Sequence, residues 1–578
     1  MKYPTLYEQS STREMVDVFR GYNHNLQIGE GEFFDMKNLT SDHYPVLSPR
    51  EKRGVYASPN KPLGLIAKDS LCYVDGSKFV INSYPVEMGL SDEPKQLISM
   101  GAYVIIMPDK KWINTLDTTQ HGNIEAVFES TTNVSFTLCT VSGDNYEAVT
   151  VSATAPKDPQ NLALWMDTAS TPHMLKQYSE TSAAWVGIAT TYIKITATGI
   201  GKAFEQYDGV SISGITVEGL ENLNGSAVIW DKGDDYIVIT GILDEAATQA
   251  GKLTVSRTMP VMDFIIEADN RLWGCRYGMA ANGQVVNEIY ASKLGDFKNW
   301  NCFMGISTDS YAVSVGTDGP FTGAVTHLGY PLFFKETCVH KIYGNYPANF
   351  QIQDTACRGV QKGCSKSLAI VGETLFYKAR SGVMAYDGSL PEEASYAMGS
   401  VVYSDAVGGA IGNKYYISMK DAAGDYNLFV YDTAKGMWHK EDGLRADAFC
   451  DCRGELYAID ADTKQIITML GSGETECKPV EWMAETGEIG ISSPDMKYVS
   501  RLALRMSMAV GTEIELFAMY DHSGVWEYLC TVLGTDLRSF SIPVRPRRCD
   551  NLKLMLRGKG TCKIYSVTKT IEQGSDIS

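Results

Sequence analysis

The sequence predicts an all-β protein: a β-propeller of about seven blades, with an inserted β domain and a C-terminal β-sandwich of jelly-roll type. Three observations predict it. Glycine (53) and tyrosine (32) are abundant among the 578 residues. Glycine supplies the positive-φ turns that join strands, and tyrosine suits a pleated, half-buried surface. A unit of short strand, Gly/Asp/Asn turn and second short strand recurs seven times. The stretches bearing these hairpins, residues 20–125 and 260–472, total roughly 320 residues, room for about seven blades at about 40–45 residues each.

The first hairpins are read at 63–66, 71–74 and 79–82 around Asp75-Gly76, and at 96–99, 102–107 and 112–114. The next five are 264–267 with 272–276 around Asp269-Asn270, 331–335 with 339–343, 374–378 with 383–386, 415–419 with 427–431, and 455–459 with 465–470. Asp-Gly, Asn and Gly at the turns match hairpin chemistry. One hairpin cannot bury its own apolar face, so a run of them implies a propeller or an array.

Between the second and third hairpins lies an insertion. Residues 192–198, 209–215, 227–230 and 236–240 alternate apolar and polar, as half-buried strands do. A short helix is expected around 245–251, and an exposed Pro/Thr-rich loop over 155–182. Beyond Gly471-Ser472-Gly473, strands are expected at 500–508, 513–520, 527–531, 538–542, 551–557 and 561–570, the size of a sandwich. The predicted divisions are thus 1–125 (N-terminal arm and first blades), 126–260 (inserted domain), 261–472 (remaining blades) and 473–578 (C-terminal sandwich).

Net charge is −18, which argues against a general nucleic-acid binder. The insertion is the most acidic stretch, with 7 Lys+Arg against 15 Asp+Glu between 126 and 260. The thirteen cysteines are scattered without a CxxC spacing, so reduced, mostly buried thiols are expected. The start MKYPTLYEQSS has no apolar core, and no export signal or membrane-spanning segment is expected.

No GxGxxG after a strand, P-loop, HExxH or GxSxG occurs. None of the eight histidines has metal-ligand spacing, and His327 and His340 are expected to be packed. No catalytic residue, metal or cofactor is therefore expected, apart from a weak Ca²⁺ site at the acid-rich turn 231–235, and the chain is expected not to be an enzyme. The rival reading is a glycan-binding or glycan-cleaving propeller. Ser307-Thr308-Asp309 and Ser142-Gly143-Asp144 carry only part of a sialidase Asp-box. A glycosidase needs two facing carboxylates about 5–10 Å apart, and Asp387 and Asp432 sit in turns, where Asp caps its own backbone. Trp112, Trp273, Trp300, Tyr343, Tyr386, Tyr431 and Trp438 fall at strand ends. They could form a sugar platform, but packing between blades is the expected role.

Several short stretches together resemble a family. They are Phe19-Arg20-Gly21-Tyr22-Asn23, Gly31-Glu32, Asp35-Met36-Lys37-Asn38-Leu39, Ser41-Asp42 and Tyr44 to Arg50 near the start. Further along are Asn270-Arg271-Leu272-Trp273-Gly274, Ile289-Tyr290-Ala291-Ser292, Leu294-Gly295-Asp296, Asn299-Trp300, Phe333-Phe334-Lys335-Glu336, Gly382-Val383 and Tyr386-Asp387-Gly388. Arg545-Pro546-Arg547-Arg548-Cys549-Asp550 and Gly574-Ser575-Asp576 complete the set. The pattern resembles the packaged-DNA stabilisation proteins of short-tailed bacteriophages, outside 127–257. That resemblance implies a non-enzymatic tail hub or nozzle in the virion, assembled in the host cytoplasm. It implies a ring of copies, a hexamer by analogy, below the portal and adaptor proteins. Such a ring docks tail fibres or spikes and retains genomic DNA, which passes without sequence-specific binding. An acidic lumen would suit a conduit, because a basic one would hold the duplex by counterion release.

Overall fold

Short alternating stretches closed by Gly, Asn and Asp turns become strands throughout the computed structural model, which describes residues 11–573 except 281, 474–477, 491–495 and 535. Every regular element among the described residues is a β-strand or a single turn of 3-10 helix. The stretch Gly574-Ser575-Asp576 lies outside the described residues. The chain divides into two compact units: residues up to 95, 333–339 and 354 onward, and residues 96–332 with 340–353.

In the first unit, four-stranded antiparallel sheets form from residues 62–87 and 369–393. A third is built from Ala446–Cys452, Glu455–Asp460 and Ile466–Thr468 and is completed by Gly54–Ala57, some 400 residues away in sequence. Neighbouring sheets share cores. Tyr416, Leu428 and Val430 of the 404–440 strands pack on Leu456, Ala458 and Ile467, and Leu71 packs on Cys452, Ile459 and Ile466.

The strands of 404–440 do not end as a separate sheet. Met437–Lys440 pairs with Gly21–Tyr22, which pairs with Glu32–Lys37, then Glu481–Thr486, Leu552–Lys559, Glu513–Tyr520 and Glu527–Leu533. The far half of this ten-stranded sheet faces a second sheet of Ser11–Val16, Cys562–Gln573, Lys497–Met508 and Arg538–Ile542. Leu504, Leu516, Leu554, Leu556, Ile564 and Val567 line an apolar cavity of about 50 Å³ between them. The C-terminal region is thus a two-sheet sandwich, and the N-terminal arm is built into both of its sheets.

In the second unit, residues 96–123 and 264–314 each make a four-stranded sheet. Ile98, Ile105 and Ile124 share one core with Ile265, Leu272, Phe297 and Trp300. The segment between them folds around a core of its own, including Phe136, Ile195, Phe204, Ile212, Ile237 and Val255. Its sheets are Ala126–Glu129/Thr254–Arg257/Gly209–Ser213/Gly225–Val228, a five-stranded sheet, and Val149–Ser152/Leu164–Asp167/Met174–Ser179/Ala184–Gly187.

Two local expectations are corrected. The helix expected at 245–251 is a strand, Ala247–Ala250, paired with Asn133–Phe136. Its alternating half-buried and exposed side chains serve a sheet edge, and that pairing overrides the helix preference of Glu-Ala-Ala. The loop expected over 155–182 contains Leu164–Asp167 and Met174–Ser179, pinned by the Trp165 indole N–H donating to Ser152 O at 2.9 Å.

Candidate binding cleft

Large apolar side chains in water mark the site. Phe303 is 55% exposed, Ile306 49% and Tyr207 42%, a grouping that a stable fold gains nothing by leaving uncovered. They belong to the walls of a cleft of about 600 Å³, within the range of small-molecule sites. Tyr207, Ser226, Ala227, Val228, Trp230 and Thr240 of the inserted domain form one wall. Lys293, Asn301, Phe303, Met304, Ile306 and Thr308, from the loop after Val285–Ala291, form the other.

The inserted-domain wall is held by strands. Ser226 to Val228 lie on Gly225–Val228 and Thr240 ends Tyr236–Thr240. The Trp230 N–H donates to Val238 O at 2.8 Å and its carbonyl accepts from the Gln206 amide at 2.8 Å. The Trp230 ring meets Tyr192 and Tyr207 edge-on at 5.8 and 6.2 Å between centroids. Tyr207 itself has a φ of +67°, a conformation that costs a non-glycine residue of order 1 kcal/mol or more. Its N–H donating to Ile229 O at 2.7 Å holds it there.

The loop wall has no regular structure of its own and is shaped by buried charge. Asp309, 4% exposed, accepts through one oxygen from the backbone N–H groups of Met304, Gly305 and Ile306 at 2.6, 2.6 and 3.1 Å. Arg271, 1% exposed, donates to the carbonyls of Ser292, Ser307 and Asp309. Burial pushes the thiol of Cys302 up to about 11, so it stays protonated and inert.

A polar latch fixes the two walls against each other. The Asp208 carboxylate accepts from the Arg257 guanidinium and from the Asn299 amide, the latter at 2.8 Å. Asn299 accepts in turn from the Gly209 N–H at 2.8 Å. A side chain at 209 is impossible here: its Cβ would lie 2.4 Å from Asn301 O. The Lys293 ammonium donates to Tyr207 O at 3.3 Å and stands 5.6 Å from the Tyr207 ring centre, and the Asn301 amide donates to Ser226 Oγ at 2.9 Å. The cleft therefore offers flat apolar faces, hydroxyl and amide groups between them, and one cation.

Of the residues singled out in the sequence, the partial Asp-box Ser307-Thr308-Asp309 lies at the cleft, Thr308 in its wall and Asp309 behind it; the others lie outside its lining. Trp112 packs on Tyr103 and Phe297, Trp273 on Tyr311 and Phe350, and Trp438 on Tyr431. Asp387 caps Ser389, and Asp432 accepts from the N–H groups of Ala434 and Lys435 and from the Ser41 hydroxyl. His327 and His340 are buried, the latter against Thr317 Oγ1 at 2.9 Å. In the acid-rich turn 231–235, Asp231 accepts from the Tyr236 hydroxyl. Among the described residues, no group of three or more His, Cys, Asp or Glu is arranged to hold a metal ion. Every described cysteine is free. No helix among the described residues is long and apolar enough to cross a membrane. Carboxylates gather in one depression, where Glu481, Glu513 and Glu515 lie beside Lys559 and Arg557. Strand register pairs Glu481 and Glu513 with Lys559, and Glu515 with Arg557, the usual cross-strand neutralisation.

Sequence reading missed the cleft because its walls come from segments some 70 residues apart, and the one partial motif among them, Ser307-Thr308-Asp309, lacks the rest of its box. The available signal was the run Phe303-Met304-Gly305-Ile306, apolar residues in a stretch with no strand alternation.

No protein-family model matches the chain, and no curated protein matches it. Among solved structures it resembles an exo-β-1,3-galactanase from Phanerochaete chrysosporium, at 9% identity and a TM-score of 0.22 over 53% of this chain and 94% of that one. It also resembles PorZ, a surface component of the type-IX secretion system of Porphyromonas gingivalis, at 11% identity and 0.26 over 88% and 77%. A Trypanosoma rangeli sialidase is similar at 9% identity and 0.19 over 90% and 95%. At these TM-scores the likenesses do not bear on ligand or chemistry. The expectation that the chain is not an enzyme does not hold: it rested on missing short motifs, and paired catalytic carboxylates come from separate strands, so the lack of such motifs excludes nothing.

Proposed function

We propose that this chain is a saccharide-binding β-propeller protein of a phage tail, and that it binds its ligand in the cleft beside the inserted domain. One observation carries the reading: Tyr207 on one wall and Phe303 on the other stand open to water, with the half-buried Trp230 beside Tyr207, around hydrogen-bonding side chains. A pyranose ring has apolar C–H faces and a rim of hydroxyls. Aromatic rings take the faces, and Asn301, Ser226, Thr240 and Thr308 take the rim. In this reading the repeated four-stranded sheets outside the insertion and the sandwich are the propeller's blades, and Gly54–Ala57 completes the last of them in sequence.

The test is binding of the full chain to an oligosaccharide array, followed by calorimetry on the hits. Trp230→Ala and Phe303→Ala should each weaken binding by about thirtyfold, the scale of removing one anchoring aromatic. Trp438→Phe, outside the cleft lining, more than 100 residues from it in sequence and packed on Tyr431, should leave it unchanged. Saccharide hits insensitive to both cleft variants would refute the cleft as the site.

A tail hub or nozzle ring is the second reading. The observation favouring it is the weld made by the N-terminal arm, where Gly21–Tyr22 and Glu32–Lys37 join the 404–440 strands to the sandwich in one sheet. A rigid joint of this kind suits a part that bears load. Images of purified particles would test it: a closed ring at the portal end supports it, and a chain present as single copies at fibre tips refutes it.

A further inference from the structure

The walls of the cleft carry one charge. Its lining residues include Lys293 and no Asp or Glu. This is unexpected in a chain of net charge −18, and more so beside an insertion with 7 basic and 15 acidic residues. The nearby acids are engaged behind the walls: Asp208 by Arg257 and Asn299, Asp296 by Asn299, and Asp309 by three backbone N–H groups. Lys293 spends one N–H on Tyr207 O, and an ammonium has three.

We propose that the cleft selects an acidic sugar, a residue bearing one carboxylate, with Lys293 pairing that carboxylate while the rings stack on the sugar face. The inference rests on the saccharide reading and adds the class of sugar. One ammonium suits one carboxylate. A nucleic acid would also stack on the rings, but it brings a charge at every phosphate, and the acidic insertion repels such a run. Lys293 is a specificity residue in this arrangement: the rings supply affinity for any sugar of the right shape, and the ammonium discriminates among them.

Calorimetry on the full chain with matched ligand pairs tests this: galacturonate against galactose oligomers, glucuronate against glucose oligomers, and sialyllactose against lactose. At least one acidic member should bind about tenfold tighter than its neutral partner, the scale of one charge-assisted hydrogen bond. Raising the salt should narrow that gap, because the pair is open to solvent. Lys293→Met should abolish the preference, so that acidic and neutral partners bind alike, and Lys293→Arg should keep it. Equal binding of acidic and neutral partners, or a preference that survives Lys293→Met, overturns the acidic-sugar assignment and leaves the saccharide reading standing. Binding of no sugar in any pair overturns both, as does displacement of the sugars by an oligothymidylate at lower concentration.

Discussion

His439 shows how a single buried group ties this fold to pH. It lies on Met437–Lys440, 3% exposed, near Lys414, Asp432 and Asp42. Burial first, and the Lys414 ammonium second, pull its imidazole down to about 4, against opposition from Asp432 and Asp42. In the unfolded chain a histidine takes up its proton near 6.5. Between those values the unfolded state binds the extra proton and the folded state does not, so stability falls as pH falls through the window. The loss approaches about 3 kcal/mol by pH 4 and grows no further below it. Urea denaturation from pH 7 to pH 4 should show a steeper decline for the native chain than for His439→Gln, with the two curves nearly parallel above pH 7. Equal slopes in the window would count against the assignment. At this scale the sequence was readable where a residue serves its own turn: Asp387 and Asp432 cap the turns in which they were found. It was silent where a residue acts across the chain, as Arg271 does under the cleft loop and Tyr207 does through a strained φ.

At the scale of elements, alternation located the central strands well. The pairs read at 71–74 with 79–82, 374–378 with 383–386 and 415–419 with 427–431 are adjacent strands of single sheets, and the six C-terminal strands fall close to their expected positions. Edge strands were not legible. Glu392–Glu393 is wholly exposed and Tyr84–Glu87 nearly so, so neither has an apolar face to repeat. Gly54–Ala57 could not be assigned from sequence because its partner, Ile466–Thr468, is some 400 residues distant. This strand offers a sharp test of packing. A Cβ at Gly54 would lie 2.4 and 2.5 Å from the carbonyl oxygens of Gly473 and Ser472, backbone that cannot rotate away. Gly54→Ala should cost about 2–4 kcal/mol of stability, the range of severe steric strain. Gly76→Ala is the control. Its φ of +56° carries a conformational penalty, but nothing lies within 4 Å of the new Cβ, so about 1 kcal/mol is expected. Thermal melts that shift equally for the two variants would show that the backbone at Ser472 and Gly473 yields, so that the close approach at Gly54 costs little.

Over the whole molecule, the chain repeatedly leaves a sheet and returns to it, and the insertion shows what that demands. Its first strand, Ala126–Glu129, pairs antiparallel with its last, Thr254–Arg257, with Ala126 opposite Arg257. Entry and exit therefore lie side by side, about 5 Å apart as paired strands are. The sheets on either side keep their shared core without it, since Ile98, Ile105 and Ile124 meet Ile265, Leu272 and Trp300 directly, while the insertion is built on a separate core. Removing 127–257 and joining the ends with a short Gly-Ser link should therefore leave a folded chain. The deletion takes both members of the buried Asp208–Arg257 pair together, so no charge is stranded by its loss, the circumstance that makes breaking such a pair costly. Asn299 and the loop after it lose their partner wall and become open to water. The shortened chain should unfold in one cooperative transition, keep its β-sheet far-ultraviolet spectrum, and lose all cleft-dependent saccharide binding, since Tyr207 and Trp230 go with the insertion. A product that binds a hydrophobic dye and melts without cooperativity would mean that the flanking sheets need the insertion to fold, and that the two cores are not independent.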